Sequence, residues 1–110
     1  MKVLIAGSRS INDFDFSPHI PKDTTLIISG GAKGIDTLAE KYADKHRISK
    51  LILLPQYNLY GKSAALKRNE IMVDIADTVI VVWVGQSRGT KYTLEYAKKK
   101  NKDIVLITLP

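Results

Sequence analysis

The sequence predicts a three-layer α/β domain, with helices on both faces of a mostly parallel five-stranded sheet. Five short apolar runs rich in Val, Ile and Leu, at 3–6, 25–29, 51–54, 78–84 and 104–109, show no polar alternation. Such runs belong to strands covered on both faces, as in parallel sheets. Helical patterns fill three of the intervals, at about 35–47, 62–76 and 91–101, which is βαβ alternation. A chain of 110 residues with 45% hydrophobic content forms one domain, 1–110, around a single core.

The first strand ends in Gly7-Ser8-Arg9-Ser10. The stretch Met1 to Gly7 is too short an apolar run for a signal peptide or a membrane span, and it reads as a buried strand of a cytoplasmic protein. Pro18 and Pro21 break any periodicity between Ser10 and Asp23, so a short helix or an irregular cover is expected there, with Phe14, Phe16 and Ile20 as its apolar contacts. The second strand runs into Ser29-Gly30-Gly31-Ala32-Lys33-Gly34-Ile35-Asp36 and then a helix. Glycines let a ligand approach the backbone closely, and a helix start offers unpaired N–H groups and a positive dipole end, so this stretch predicts a phosphate site. Its spacing matches neither the dinucleotide G-x-G-x-x-G pattern nor a Walker A loop. Asp36 reads either as a helix-start partner or as a hydrogen-bond acceptor for a ribose hydroxyl. His46 continues the stripe Ile35, Leu38, Ala39, Tyr42, Ala43 and is expected to be packed.

After the third strand, the loop Pro55 to Lys62 carries Tyr57 and Tyr60, which suit either stacking on a base or simple packing. In the following helix, positions advance ~100° per residue, and Ala64, Ala65, Ile71, Met72, Ile75 and Ala76 form an apolar stripe with Arg68 near its centre. A guanidinium there is costly unless it meets an anion, pairs internally with a carboxylate such as Asp36, or reaches out to solvent. Arg68 is therefore the leading binding residue, with Asn69 placed to orient a ligand or cap a loop. The fourth strand ends at Trp83, expected in the core, and is followed by Gly85-Gln86-Ser87-Arg88-Gly89-Thr90. In the last helix Tyr92, Thr93, Leu94, Tyr96 and Ala97 face inward. Glu95 points away, toward Lys91, Lys98 and Lys99, as a surface ion-pair residue and a poor general base.

The chain carries a formal net charge of +6, which favours anionic partners. Lys98, Lys99, Lys100 and Lys102 crowd the end of the last helix, where cations suit the negative dipole end and no aromatic residue interleaves with them. With no cysteine and two separated histidines, neither a disulfide framework nor a transition-metal site is expected, and no metal or cofactor is implied. In an open parallel sheet ligands bind beyond the carboxyl ends of the strands. The three glycine-containing loops converge there, with Arg9, Lys33 and Arg88 and the hydroxyls of Ser8, Ser10, Ser87 and Thr90.

The ordered set Gly7-Ser8-Arg9, Ser29 to Asp36, Gly61-Lys62, Arg68-Asn69 and Ser87-Arg88-Gly89-Thr90 resembles the YspA-like (cpYpsA-related) branch of the SLOG superfamily over nearly the whole chain. That superfamily also contains DprA, with a similar Gly-Ala-Arg-Gly-Ile-Asp run, and the Lonely Guy phosphoribohydrolases. The resemblance implies a Rossmann-like domain that holds a nucleotide or nucleotide-derived ligand through Gly7, Ser8, Arg9, Gly30, Gly31, Lys33, Gly34, Asp36, Lys62, Arg68, Asn69, Ser87, Arg88, Gly89 and Thr90. In Lonely Guy enzymes a Pro-Gly-Gly-x-Gly-Thr-x-x-Glu motif supplies a catalytic glutamate, and an Arg on the preceding helix helps to bind the nucleotide. Arg68 matches that arginine and Gly89-Thr90 match the end of the motif, but Thr93 stands at the glutamate position and Val84-Gly85-Gln86-Ser87-Arg88 replaces Pro-Gly-Gly.

Glycosidic cleavage needs a carboxylate beside the ribose. Asp36 is the one acid left to supply it. The expectation is accordingly a domain that binds a nucleotide or nucleotide-derived ligand, with a sensor as the role it suits. An N-glycoside hydrolase and a single-stranded nucleic-acid binder are the alternatives. The resemblance also implies homodimerisation, without indicating a surface for it.

Overall fold

Alternate residues of the central strands feed two separate apolar layers, and that division organises the fold. The computed structural model describes residues 1–110. The strands are β1 (Lys2–Gly7), β2 (Leu26–Ser29), β3 (Ser49–Ile52), β4 (Thr78–Trp83) and β5 (Asp103–Thr108). The helices are α1 (Ile35–Lys45), a single turn α2 (Tyr57–Tyr60) running into a 3-10 turn Gly61–Ser63, α3 (Ala64–Ile75) and α4 (Arg88–Lys99). The five strands are all parallel, in the order β3-β2-β1-β4-β5. The chain thus winds outward from β1 in one direction and then in the other, a Rossmann-like arrangement whose order reverses between β1 and β4.

Val3 and Ile5 of β1, Ile27 of β2 and Ile80 and Val82 of β4 pack under α1, which contributes Ile35, Ala39 and Ala43. The irregular segment between β1 and β2 completes this layer through Ile11 and Phe16, the latter 2% exposed. On the opposite face Leu4, Ile28, Val79 and Val81 meet Met72, Val73 and Ala76 of α3 and Leu94 and Ala97 of α4. At ~25 cal/mol per Å² of apolar area, these two layers supply the main stabilisation of the domain.

Several sequence expectations require correction. The third strand lies two residues upstream of the apolar run 51–54, and β3 and β5 are edge strands with Leu51, Ile52, Val105 and Leu106 exposed. The apolar composition of β5 resembles that of a fully covered strand, but at the edge of the sheet helices cover it only in part. On α3 the buried side chain is Val73 rather than Ile71, which is 42% exposed. The last helix begins at Arg88 instead of 91, because Ser87 caps it by accepting a hydrogen bond from the Thr90 amide. His46 sits at the C-cap of α1, exposed, with its ring 4.1 Å from that of Tyr42. Trp83 is half-buried, and its indole N–H donates to the Thr108 hydroxyl at 3.2 Å.

No helix of the structure is long and apolar enough to cross a membrane.

Candidate functional site

A cleft of about 260 Å³ opens at the carboxyl edge of the sheet, at the point where the strand order reverses. Its floor is Ala6 and Gly7 of β1, one wall is α3 through Arg68, Asn69 and Met72, and the other is the first turns of α4 through Ser87, Gly89, Thr90 and Thr93. Arg9 and Asp36 close its ends.

The loop after β1 is clasped to the loop after β4. The Ser8 amide donates to Val82 O at 3.1 Å, and the Ser8 hydroxyl accepts from the Val84 amide at 3.0 Å. Ser8 is 4% exposed and serves as a clasp between the two halves of the sheet instead of facing the cleft. A Cβ on Gly7 would collide with the Val82 carbonyl, so the close approach of β1 to β4 requires glycine there.

In the glycine stretch after β2, two of the backbone amides are already paired within the loop. The Gly31 amide donates to the Ser29 hydroxyl at 3.2 Å and the Ala32 amide to an Asp36 carboxylate oxygen at 3.1 Å, so the loop's own side chains occupy these donors. Gly34 has φ +72°, and a Cβ there would run into the carbonyls of Ser8 and Arg9, so this glycine seats the first loop on the start of α1. Gly34 and Lys33 line a separate shallow groove with Asn12, Thr37 and Lys41 on the α1 side of the sheet. Lys62 and Arg88 are exposed and do not line the cleft.

Unpaired donors also stand at the start of α4. Ser87 takes the Thr90 amide, while the amides of Arg88 and Gly89 have no acceptor in the protein. They carry the positive end of the helix dipole. The Gly89 carbonyl, in contrast, is held by the Thr93 hydroxyl at 3.0 Å and faces the Asn69 amide at 3.5 Å.

Arg68 is half-buried and makes three hydrogen bonds: Nε to Asn69 Oδ1 at 2.8 Å, and Nη1 to the carbonyls of Gly30 at 2.6 Å and Leu53 at 3.1 Å. Nη2 has no partner in the protein and is not sealed from solvent. The internal ion pair with Asp36 does not form; the chain's two ion pairs are Lys50–Asp44 and Lys91–Glu95. Both groups nonetheless flank Gly30, since a Cβ built on it would lie 2.9 Å from Arg68 Nη1 and 3.0 Å from Asp36 Oδ2.

Burial pushes the Asp36 carboxyl above its ordinary range, opposed by the Ala32 amide and the Arg68 charge. Burial likewise lowers Arg68, and Arg9 nearby adds like-charge repulsion. The site thus holds two arginines without a carboxylate partner within ion-pair distance, beside the free amide of Gly89.

Of the sequence candidates, Gly7, Arg9, Asp36, Arg68, Asn69, Ser87, Gly89 and Thr90 line this cleft. Gly30 and Gly31 lie behind Arg68 as backbone support. Thr93 and Met72 were not singled out as site residues, although Thr93 occupies the position where the Lonely Guy motif has glutamate. A buried threonine, 1% exposed and bonded to Gly89, leaves Asp36 as the one carboxylate of the cleft.

The chain is 27% identical over 117 aligned residues, spanning 94% of each sequence, to the "Gene 61 protein" of Mycobacterium phage D29. No protein-family model matches the chain. No solved structure matches it.

Proposed function

We propose that this domain binds a nucleotide or nucleotide-derived ligand, with the phosphate seated between Arg9, Arg68 and the first turn of α4. The observation that carries the reading is the pair of cleft arginines, neither of which has a carboxylate within 4 Å. A phosphate would accept from Arg68 Nη2 and from the Gly89 amide together, and its charge would relieve the repulsion between Arg9 and Arg68. The position at the strand-order reversal and the resemblance to SLOG proteins support the same ligand class.

Asp36 supports a second reading, hydrolysis of an N-glycosidic bond. It is the cleft's one carboxylate, and burial keeps its proton affinity high, as a proton-transferring group requires. Release of free base from nucleoside 5′-monophosphates, lost in Asp36→Asn, is the expected sign of that activity. Single-stranded nucleic-acid binding has less support. In a parallel α/β domain α4 runs away from the cleft, so Lys98, Lys99 and Lys100 stand at the opposite edge of the sheet.

A thermal-shift panel of AMP, ADP, ADP-ribose, NAD, cyclic nucleotides and inorganic phosphate tests the proposal. A ligand at 100 times its Kd adds about 2.7 kcal/mol of stability, which a melting curve resolves. Stabilisation by at least one phosphorylated nucleotide is the expected result. A flat response across the panel overturns the proposal.

A further inference from the structure

A second cavity of about 180 Å³ lies on the other side of Arg68, lined by Ile52, Leu54, Gln56, Tyr60 and Ile71 together with Arg68 itself. It is apolar, and its side chains stand unusually open for their type: Leu54 is 59% exposed, Tyr60 43%, Ile71 42% and Ile52 39%. Two features join it to the cleft. Arg68 lines both cavities. The backbone that Arg68 grips neighbours the walls of both: a Cβ on Gly30 would meet Arg68 and Asp36, which line the cleft, whereas one on Gly31 would meet Leu54 and Ile52, which line the groove.

Size separates one site from two. At about 260 and 180 Å³, each cavity falls below the ~300 Å³ at which pockets for organic ligands begin, and the two together fall within that range. Their chemistry is complementary as well. The cleft presents cations and amide donors, while the groove presents an apolar slot with an aromatic ring and a single neutral amide, Gln56, able both to donate and to accept.

We infer that the groove is the nucleobase half of the ligand site, so that the ligand is a nucleoside 5′-phosphate whose aromatic base lies among Leu54, Tyr60 and Ile71 with Gln56 at its edge. This inference rests on the proposed binding of a phosphorylated nucleotide in the cleft. The base is flat and apolar on its faces and polar at its rim, which matches a slot of aliphatic side chains and one tyrosine closed by one amide. Arg68 then contacts the ligand twice, its Nη2 toward the phosphate and its guanidinium plane beside the base, a combination that lysine cannot reproduce.

Calorimetric titration of AMP and of ribose 5-phosphate into the wild-type chain, Leu54→Asp and Tyr60→Ala tests the inference. Both substituted side chains are exposed, and melting curves verify that each variant folds. The wild type is expected to bind AMP at least tenfold more tightly than ribose 5-phosphate, with that ratio falling to within twofold in at least one folded variant. A wild-type ratio near one, or a ratio that both variants retain, overturns the inference and leaves the phosphate site standing. Should size-exclusion chromatography then find that Leu54→Asp converts a dimer to a monomer, the groove belongs to a second copy of the chain. Absence of binding by either ligand removes both the inference and the function it rests on.

Discussion

The Arg68 guanidinium, carried on α3, donates to the carbonyl of Gly30 at the end of β2 across 2.6 Å. With the Leu53 carbonyl at 3.1 Å on the same nitrogen, this contact ties a helix to the loops after two neighbouring strands and spends one half of the arginine fork on the protein. The other half, Nη2, makes no hydrogen bond within the protein and in the proposed function takes the phosphate. Arg68 is thus both a structural tie and the leading binding group, and its substitutions should separate the two roles.

Arg68→Ala removes both, and loss of hydrogen bonds from a charged, half-exposed donor should cost about 1–3 kcal/mol of stability. Arg68→Lys keeps the charge but not the fork, and is expected to retain most of the stability while losing at least tenfold in affinity for the stabilising nucleotide. Denaturant unfolding and calorimetry on the two variants check this. A lysine variant with wild-type affinity would show that charge alone suffices.

Gly30→Ala tests the same geometry from the other side. Its Cβ would press on Arg68 Nη1 and Asp36 Oδ2, both ends of movable side chains, so the fold should survive while the guanidinium shifts and binding weakens. Gly34→Ala should behave differently. At φ +72° and against the Ser8 and Arg9 carbonyls, the methyl group meets fixed backbone, and destabilisation of about 2 kcal/mol or more is expected on thermal unfolding.

The pH dependence of stability isolates Asp36. Its folded carboxyl binds a proton more tightly than the unfolded one, so its charged form costs stability at neutral pH, and that cost fades as pH falls through the raised folded value. Asp36→Asn keeps an oxygen for the Ala32 amide and removes the charge. The variant should melt at or above the wild-type temperature at pH 7, with its advantage shrinking to nothing near about pH 4, where free aspartate protonates. Melting curves across that range decide it; a variant less stable than wild type at pH 7 would mean that the carboxylate is stabilised in place.

Much of the fold was legible in the sequence because β1 and β4 are buried on both faces, and continuous Val and Ile runs mark that environment directly. The edge strands depart from that reading for the same reason: β5 has that composition but none of its residues is fully buried, and composition does not report how far a helix covers it. Arg68 was legible as a cation on an apolar stripe. Its partners were not, since the Gly30 and Leu53 carbonyls are backbone atoms that no side-chain pattern announces. The glycines before α1 mark a loop with amide donors, but the sequence does not announce that Ser29 and Asp36 pair with the Gly31 and Ala32 amides. The start of α4 at Arg88 is hidden in the sequence because Gly89 interrupts the helical pattern.

The lining of the cleft, under the proposed function, predicts which cations matter. Arg9→Ala should weaken nucleotide affinity at least fivefold, whereas Lys33→Ala and Lys62→Ala, whose side chains lie outside the cleft, should stay within twofold of wild type. Equal losses at all three positions in calorimetry would point to general electrostatic attraction, which salt would also abolish.

The most direct test of the central claim is a backbone amide NMR titration of the isotope-labelled chain with AMP. Binding as proposed should move the Arg88, Gly89 and Thr90 amides most, together with those of Gly7 to Arg9, and should leave Lys98 to Lys102 in place. An unperturbed spectrum, or shifts confined to the lysine-rich end of α4, would contradict it.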